Sequence, residues 1–498
     1  MTDTTVHSSF EDLVFQRRAK LTAFRGAGVN PSPARFDGTD RAADILARHA
    51  ALPAGGHAEE TVTVAGRVMT RRDMGKTIFA HVQDLSGKVQ IYLKRDELGE
   101  AFASFQNGVD LGDIVGVSGF PFRTRTGEIT LHVKSWTLLS KALRPPPEKF
   151  HGMTDVEVRY RRREVDLFSN EEVRARFLAR QRIVSSLRQT LAGKKFIEVE
   201  TPVLQSIPGG AAAKPFETHH NALDMSLSLR IAPELFLKRL IVGGLERVFE
   251  IGRACRNEGI YTRHNPEFTI LEAYQAYTDV NGMMDLAEEL IRQAAVAVRP
   301  EGTTLPFTYR KASVDMAAPF ARVSLAQAFS EKLGLDFEKL CRENGWRSAA
   351  THLGLDAEGT PDAKCFDAIL DAKILPGLPP AAFLYGYPAA FSPLAKASPA
   401  TPDIADRFEL FICGEEVANA YSEQNDPDVQ RKHFEAQARQ RQAGDEEAMP
   451  ADEEFLIALE HGMPPAGGLG IGVDRLTMIL TGTDSIREVI LFPLLRPE

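Results

Sequence analysis

Residues 256–265, "RNEGIYTRHN", set Arg256, Glu258, Arg263, His264 and Asn265 in one short polar loop. The runs on either side, "RVFEIG" and "EFTILEAY", alternate apolar and polar residues as strands do. A hairpin seldom gathers this many charges without a task. Guanidinium forks match phosphate oxygens in two-point contacts, and a strand end holds such a fork rigidly. Arg256 stands at that strand end, and Phe268 on the returning run offers a ring on which a base stacks.

A second stretch, "GGLGIGVDRL" at 467–476, also suggests phosphate. No Lys follows its glycines, so it is not a P-loop. The spacing of Gly468, Gly470 and Gly472, and the short chain beyond them, do not fit a dinucleotide-binding βαβ unit. Two readings stay open from these residues alone: a glycine strand packed tightly on a helix, or a backbone that lets a phosphate come close. A third stretch, "FELFICGEEVANAY" at 408–421, carries Glu409 and Glu416 seven residues apart. On one straight strand they face opposite sides. A turn at "CGE" brings them together in a hairpin.

These groups need elements to hold them. The chain has 498 residues, 43% of them hydrophobic and 26% charged, which suits two or three globular domains. No run approaches the ~20 apolar residues of a membrane span, and the first residues lack the apolar stretch of a secretory signal, so a cytoplasmic location is expected. The four cysteines lie far apart without metal-ligand spacing and read as free thiols. The net charge is −9, yet residues 1–170 are slightly basic. That part is the better candidate to meet a polyanion.

Residues 1–60 read as a helical extension. Five alternating runs follow over 61–145, from "TVTVAGRVMT" to "EITLHVKSWTLLS", with turns rich in Gly, Asp and Ser. They fit a small Greek-key barrel of the OB type, and an SH3-like barrel fits the strand count as well. "KALRPPPEKFHG" then reads as a stiff linker over 146–170. It carries the basic run "RYRRR", either a solvated hinge or a contact for a nucleic-acid backbone. From 171 to 498 helices and strands mix. The first helix there, 171–193, is long and amphipathic, with an acidic first turn and Gly193 at its end.

Taken in order, a long helix followed by Pro202, "RACRNEG…RHNPEFT" and "GGLGIGVDRL" resemble motifs 1, 2 and 3 of the class II aminoacyl-tRNA synthetases. "THHNALDMSLSLRIAPELFLKRL", "SPLAK", "ANAYSEQNDP" and "ILFPLLRP" narrow the resemblance to the bacterial lysyl-tRNA synthetase family. It covers nearly the whole chain and is weakest at about 310–380. The implied fold is α+β: an N-terminal OB-fold β-barrel plus a class II catalytic domain built on a large antiparallel sheet flanked by helices.

The resemblance implies an ATP-dependent lysine–tRNA ligase acting on tRNA(Lys), L-lysine and ATP with Mg²⁺, and a homodimer formed through the 171–193 helix and the strand at Pro202. It assigns Arg256 and Arg475 as the catalytic guanidiniums. ATP falls to these two with Glu258, Arg263, His264, Asn265, Phe268 and Gly472. Lysine falls to Gly210, Glu234, Glu272, Tyr274, Asn419, Tyr421 and Glu423, and Mg²⁺ to Glu409 and Glu416. In the barrel, Arg71, Phe79, Gln90 and Glu128 become anticodon readers. The chemistry agrees: an ammonium-bearing substrate needs carboxylates, whereas aspartate would need a cation. The same scaffold with another amino acid, a paralogue that lysylates a protein, and an RNA-binding barrel beside an inactive catalytic half are the competing readings. Cys255, Glu415 and Gln424 depart from the family's usual Phe, Lys or Arg, and Leu. Glu415 sits beside the expected metal acids, and Cys255 is expected to make activity oxidant-sensitive.

Overall fold

The computed structural model describes residues 4–38, 40–147, 153–299 and 306–497. They form two compact units, 1–154 and 155–498.

In the first unit the five alternating runs close into a barrel. Its strands are Val62–Asp73, Thr77–Gln83, Lys88–Lys94, Ile114–Arg123 and Ile129–Ser140, ordered 1-2-3-5-4 around the wall. Alternation is the cause: Ile78, Ala80 and Val82 point inward with Val89, Ile91 and Leu93, while Phe79 and Gln90 between them point outward. A helix, Glu100–Gly108, plugs one side with Phe102 and Phe105. The N-terminal helix Thr4–Gly26 is tied to the same unit through Arg17, which donates to the carbonyls of Leu111 and Ala142.

The second unit is built on an eight-stranded sheet. In spatial order its strands are Ala321–Ser324, Ala381–Pro388, Ile404–Ile412, Glu415–Ser422, Ala466–Gly472, Glu267–Ala276, Arg247–Cys255 and Ile197–Glu198. The two edge pairings are parallel and the rest antiparallel. One face is covered by the helices Glu171–Gly193, Val280–Val298 and Val473–Thr481, whose Ile183, Leu187, Leu290, Ile291 and Leu476 join strand residues such as Leu271, Leu410 and Ile471 in a single core. The other face is left to the site.

The weakly matching stretch has its own small core. The helices Leu325–Leu333, Phe337–Glu343, Trp346–His352 and Asp362–Ile369 close around the fully buried Trp346. The last of them runs into a π-helical turn, Leu370–Ile374.

The expected 146–170 linker does not hold as a whole. Residues 148–152 lie outside the described residues, but Val156–Arg161 and Arg163–Ser169 are helices of the second unit. Neither reading of the basic run survives for its inward-facing members. Arg163 is fully buried, bonded to Asp166 and to the carbonyls of Leu491 and Arg487, and Arg159 pairs with Asp166 and Glu488. A guanidinium carries five donors, which suits it to staple a chain end whose carbonyls lack sheet partners.

Candidate active site

A cavity of about 1420 Å³ opens on the exposed face of the large sheet. The motif 2 hairpin supplies one wall. Its strands pair from Arg247↔Gln275 to Cys255↔Glu267, so Arg256 emerges at the last rung. The guanidinium of Arg256 lies 5.0 Å from the centre of the Phe268 ring. Its Nε has no hydrogen-bond partner among the described residues, and burial lowers its pKa. A buried guanidinium without a carboxylate partner is costly, and an anion offsets that cost.

Arg475 faces it from the first turn of the helix after the glycine strand. It pairs with Glu416 at 2.9 Å and lies 3.4 Å from His264. Loss of solvent and then the charge of Arg475 lower the His264 pKa, so the ring is neutral at neutral pH. Gly468, Gly470 and Gly472 share one face of their strand and line the cavity. A methyl group on Gly470 or Gly472 would meet no atom closer than 3.7 Å, so these two keep space open rather than fill it. On Gly468 it would strike Glu423 Oε1 at 1.9 Å and the Tyr274 ring, which is a packing demand. Both readings of the glycine stretch therefore apply, at different residues.

The acids gather below. Glu272 and Tyr274 are neighbours on one strand face, with the Tyr274 hydroxyl donating to Glu272 at 3.2 Å. Burial and the charge of Glu234 raise the Glu272 carboxyl to about 8. The Tyr421 hydroxyl donates to Glu234 at 2.6 Å. Gly210, at φ +88°, passes so close that a Cβ there would come within 2.8 Å of the Glu234 Cβ. Glycine is the residue that tolerates both the angle and the approach.

Glu423 does not line the cavity. It is buried behind Gly468 and Tyr274 and pairs with the fully buried Lys238, which also contacts Glu234 at 2.7 Å. The reason is electrostatic: three carboxylates desolvated together need a cation among them. Lys238 is absent from the residues expected above, although its place four residues after Glu234 on a helix is a readable signal. Arg407, two residues before Glu409 on the same strand face, is absent from them too. Arg407 pairs with Glu409 at 2.6 Å and donates to the Asn419 side-chain oxygen at 3.2 Å.

Glu409 and Glu416 do meet across a hairpin. Cys413 and Gly414 both have positive φ, 50° and 78°, as a two-residue turn of the I′ kind requires. Burial raises the Glu409 carboxyl to about 7, against the opposing charge of Arg407, and Glu416 pushes it the same way. Among the described residues no group of three or more His, Cys, Asp or Glu is arranged to hold a metal alone. Mg²⁺ needs no such cage, since one or two carboxylates suffice beside substrate phosphates. This pair of hard, mutually repelling oxygen donors fits that ion.

The remaining expected ATP residues divide. Glu258, Arg263 and Asn265 line the cavity. Arg263 is paired with buried Glu415 at 3.1 Å, which Arg310 also neutralises, so the acid that departs from the family pattern is balanced. The Asn265 amide donates to the Glu267 carbonyl at 2.6 Å and braces the hairpin. Cys255 is half-buried, and burial raises its thiol pKa. That runs against the expected oxidant sensitivity, because the thiolate is the reactive form.

On the barrel, Phe79 leads a row of outward aromatic rings. It lies 4.9 Å from Tyr92, which in turn is 5.8 Å from Phe122 and 5.1 Å from His132. Gln90 donates to Glu128 at 2.8 Å and accepts from Thr130, so its amide is held in one orientation. The Arg71 guanidinium is engaged within the barrel unit. Its two terminal nitrogens donate to the carbonyls of Gln106 and Val109, where the Glu100–Gly108 helix ends with acceptors unsatisfied.

The chain matches the family model of class II tRNA synthetases (D, K and N) over residues 155–496, and that of the OB-fold nucleic acid binding domain over 62–139. It is similar to the lysine–tRNA ligase of Carboxydothermus hydrogenoformans, with 50% identity over 99% of both chains. It is 49% identical to that of Pelotomaculum thermopropionicum over 98% of this chain and 95% of the relative. It is 48% identical to that of Enterococcus faecalis over 97% of each.

Proposed function

Because this chain belongs to the lysine–tRNA ligases of the class II aminoacyl-tRNA synthetase family, we propose that its two units divide one reaction between them. The second unit activates L-lysine with ATP and charges tRNA(Lys); the barrel reads the anticodon. The observation that carries this reading is the pairing, in one cavity, of an unpartnered buried Arg256 with the Glu234–Glu272 acid pocket.

Lysine enters with its ammonium towards Glu234 and Glu272 and its stem along Tyr274 and Tyr421. The side-chain amide of Asn419, fixed by Arg407, holds its polar end. Its carboxylate attacks the α-phosphate of ATP; the bond to the β-phosphate breaks and pyrophosphate leaves. Arg256 neutralises charge developing at the α-phosphate, and Arg475 grips the γ-phosphate. Phe268 stacks the adenine. Glu409 and Glu416 are the residues that would hold Mg²⁺, which when bound neutralises triphosphate charge. A terminal ribose hydroxyl of tRNA then attacks the lysyl carbonyl, and AMP departs. No protein nucleophile takes part; catalysis is positioning and charge neutralisation. Incubating total tRNA with each labelled amino acid in turn tests the assignment: lysine alone should become attached, and attachment of aspartate or asparagine instead would refute it.

On the barrel, Phe79 stacks on an anticodon base while Gln90 and Glu128 present fixed polar edges to it. Phe79→Ala should weaken tRNA by about 1–3 kcal/mol, seen as a KM for tRNA raised roughly tenfold or more. Lysine-dependent ATP–pyrophosphate exchange should stay unchanged, because that step needs no tRNA.

The working form in this reading is a homodimer in the cytoplasm. Ile197, on the short strand packed against the 171–193 helix, stands exposed, as do Val203 and Leu204 just after Pro202, and exposed apolar side chains of that kind suit a second copy of the same surface. Light scattering at micromolar concentration should give twice the chain mass, and a monomer there would overturn the dimer. No helix among the described residues is long and apolar enough to cross a membrane.

A further inference from the structure

Three elements of the second unit meet at one buried node. Asp474 Oδ1, on the helix Val473–Thr481, lies 2.6 Å from Arg180 Nη1 on the helix Glu171–Gly193. Asp474 Oδ2 accepts the Thr269 backbone amide at 2.6 Å, and Arg180 Nη2 donates to the Thr269 hydroxyl at 3.0 Å. Asp474 is 2% exposed. The ladder between the strands ends at the pair Ile270↔Gly472, where the glycine strand turns into helix. Past that point the Thr269 amide has no strand carbonyl to meet on this side. The Asp474 carboxylate takes its place, and Arg180 supplies the charge that lets this carboxylate stay ionised away from water.

Two members of the node adjoin residues of the phosphate site. Thr269 follows Phe268, and Asp474 precedes Arg475. A shift of either backbone moves the ring beneath Arg256 or the guanidinium opposite it. We infer that Arg180 and Asp474 are positioning residues for ATP: their ion pair fixes the distance between the carriers of Phe268 and Arg475, and although Asp474 borders the cavity its carboxylate is taken up by Arg180 and the Thr269 amide. The inference rests on the ATP reading of the cavity. It adds a role for a helix that contributes no side chain to the cavity lining. The acid pocket, held by Glu234, Lys238 and Tyr421, is braced separately.

The test is lysine-dependent ATP–pyrophosphate exchange on the full chain, with KM measured for each substrate. Asp474→Asn keeps an acceptor for the Thr269 amide and removes the charge. It should raise KM for ATP about ten- to a hundredfold, the scale on which small misplacements act. KM for lysine should stay within about twofold. Arg180→Lys should restore most of the ATP affinity lost in Arg180→Met. The double variant Arg180→Met with Asp474→Asn should bind ATP no worse than Arg180→Met alone, since no lone buried carboxylate remains. An unchanged KM for ATP in Asp474→Asn, or equal rises for both substrates, would overturn the positioning role. If Asp474→Asn does not fold, the Lys and Met substitutions at Arg180 decide by the same split. Failure of the unaltered protein to exchange pyrophosphate with lysine would instead strike the reading of the site.

Discussion

Arg256→Ala is expected to slow lysine-dependent ATP–pyrophosphate exchange by roughly a thousandfold while leaving the fold intact. Removing one preorganised donor from a developing anion costs about 10²–10³ in rate, and guanidinium groups at phosphoryl centres reach beyond that. Arg256 belongs at the upper end because its guanidinium is withdrawn from water, cannot be replaced by water of equal field, and sits at the end of a long hairpin. The fold should tolerate the change. Arg256 has no ion-pair partner among the described residues, so its loss strands no buried carboxylate. Arg475 offers the contrast: its removal frees Glu416 beside Glu409 and adds like-charge repulsion to the loss of a phosphate contact. Arg475→Ala should therefore lower both the rate and the thermal midpoint. Near-normal exchange in Arg256→Ala would remove that residue from the reacting centre.

Lysine binding is expected to tighten about tenfold per pH unit between pH 6 and pH 8 and then level off. In the free protein the Glu272 carboxyl is raised to about 8, so it holds its proton at neutral pH. An entering ammonium favours the carboxylate, and the proton must leave. Binding thus releases about one proton below pH 8, which fixes the slope. Glu234, Glu423 and Lys238 sit in the same cluster, so the proton belongs to the group rather than to one oxygen. Calorimetric titration in buffers of different ionisation enthalpy measures it directly. The same shift acts on folding. A carboxyl raised from 4.5 to about 8 contributes stability present below pH 4.5 and lost as pH rises towards 8. Lysine should restore that loss, so the rise in thermal midpoint on adding lysine should be larger at pH 8 than at pH 6. Glu272→Gln should flatten the pH dependence and weaken lysine about thirtyfold or more at pH 8. A pH-independent affinity in the unaltered protein would sink the acid-pocket account.

Much of this was legible in order and type. The five barrel strands, the 171–193 helix, the motif 2 hairpin and the glycine strand follow from alternation, helical spacing and glycine punctuation, all local signals. Arg256 and Phe268 stand out from the hairpin pattern itself, Glu272 and Tyr274 only through the family resemblance, and all four line one cavity. What the pattern does not report is partnership. Arg71, Arg163 and Glu423 bear charges that usually face water or substrate, yet each has a partner distant in sequence: a helix end, the carbonyls of residues 487–491, a buried lysine. Whether a charge is free depends on what packs against it, and no residue pattern reports that.

Reaction class and fold class are written in residue types along short, ordered stretches. How the acids are shared out is a matter of packing. It gave Glu423 to Lys238, braced Asn419 through Arg407, balanced Glu415 with Arg263 and Arg310, and joined Arg180 to Asp474. Buried charges are settled by neighbours within a few ångströms, and the fold, not the order of the chain, chooses those neighbours.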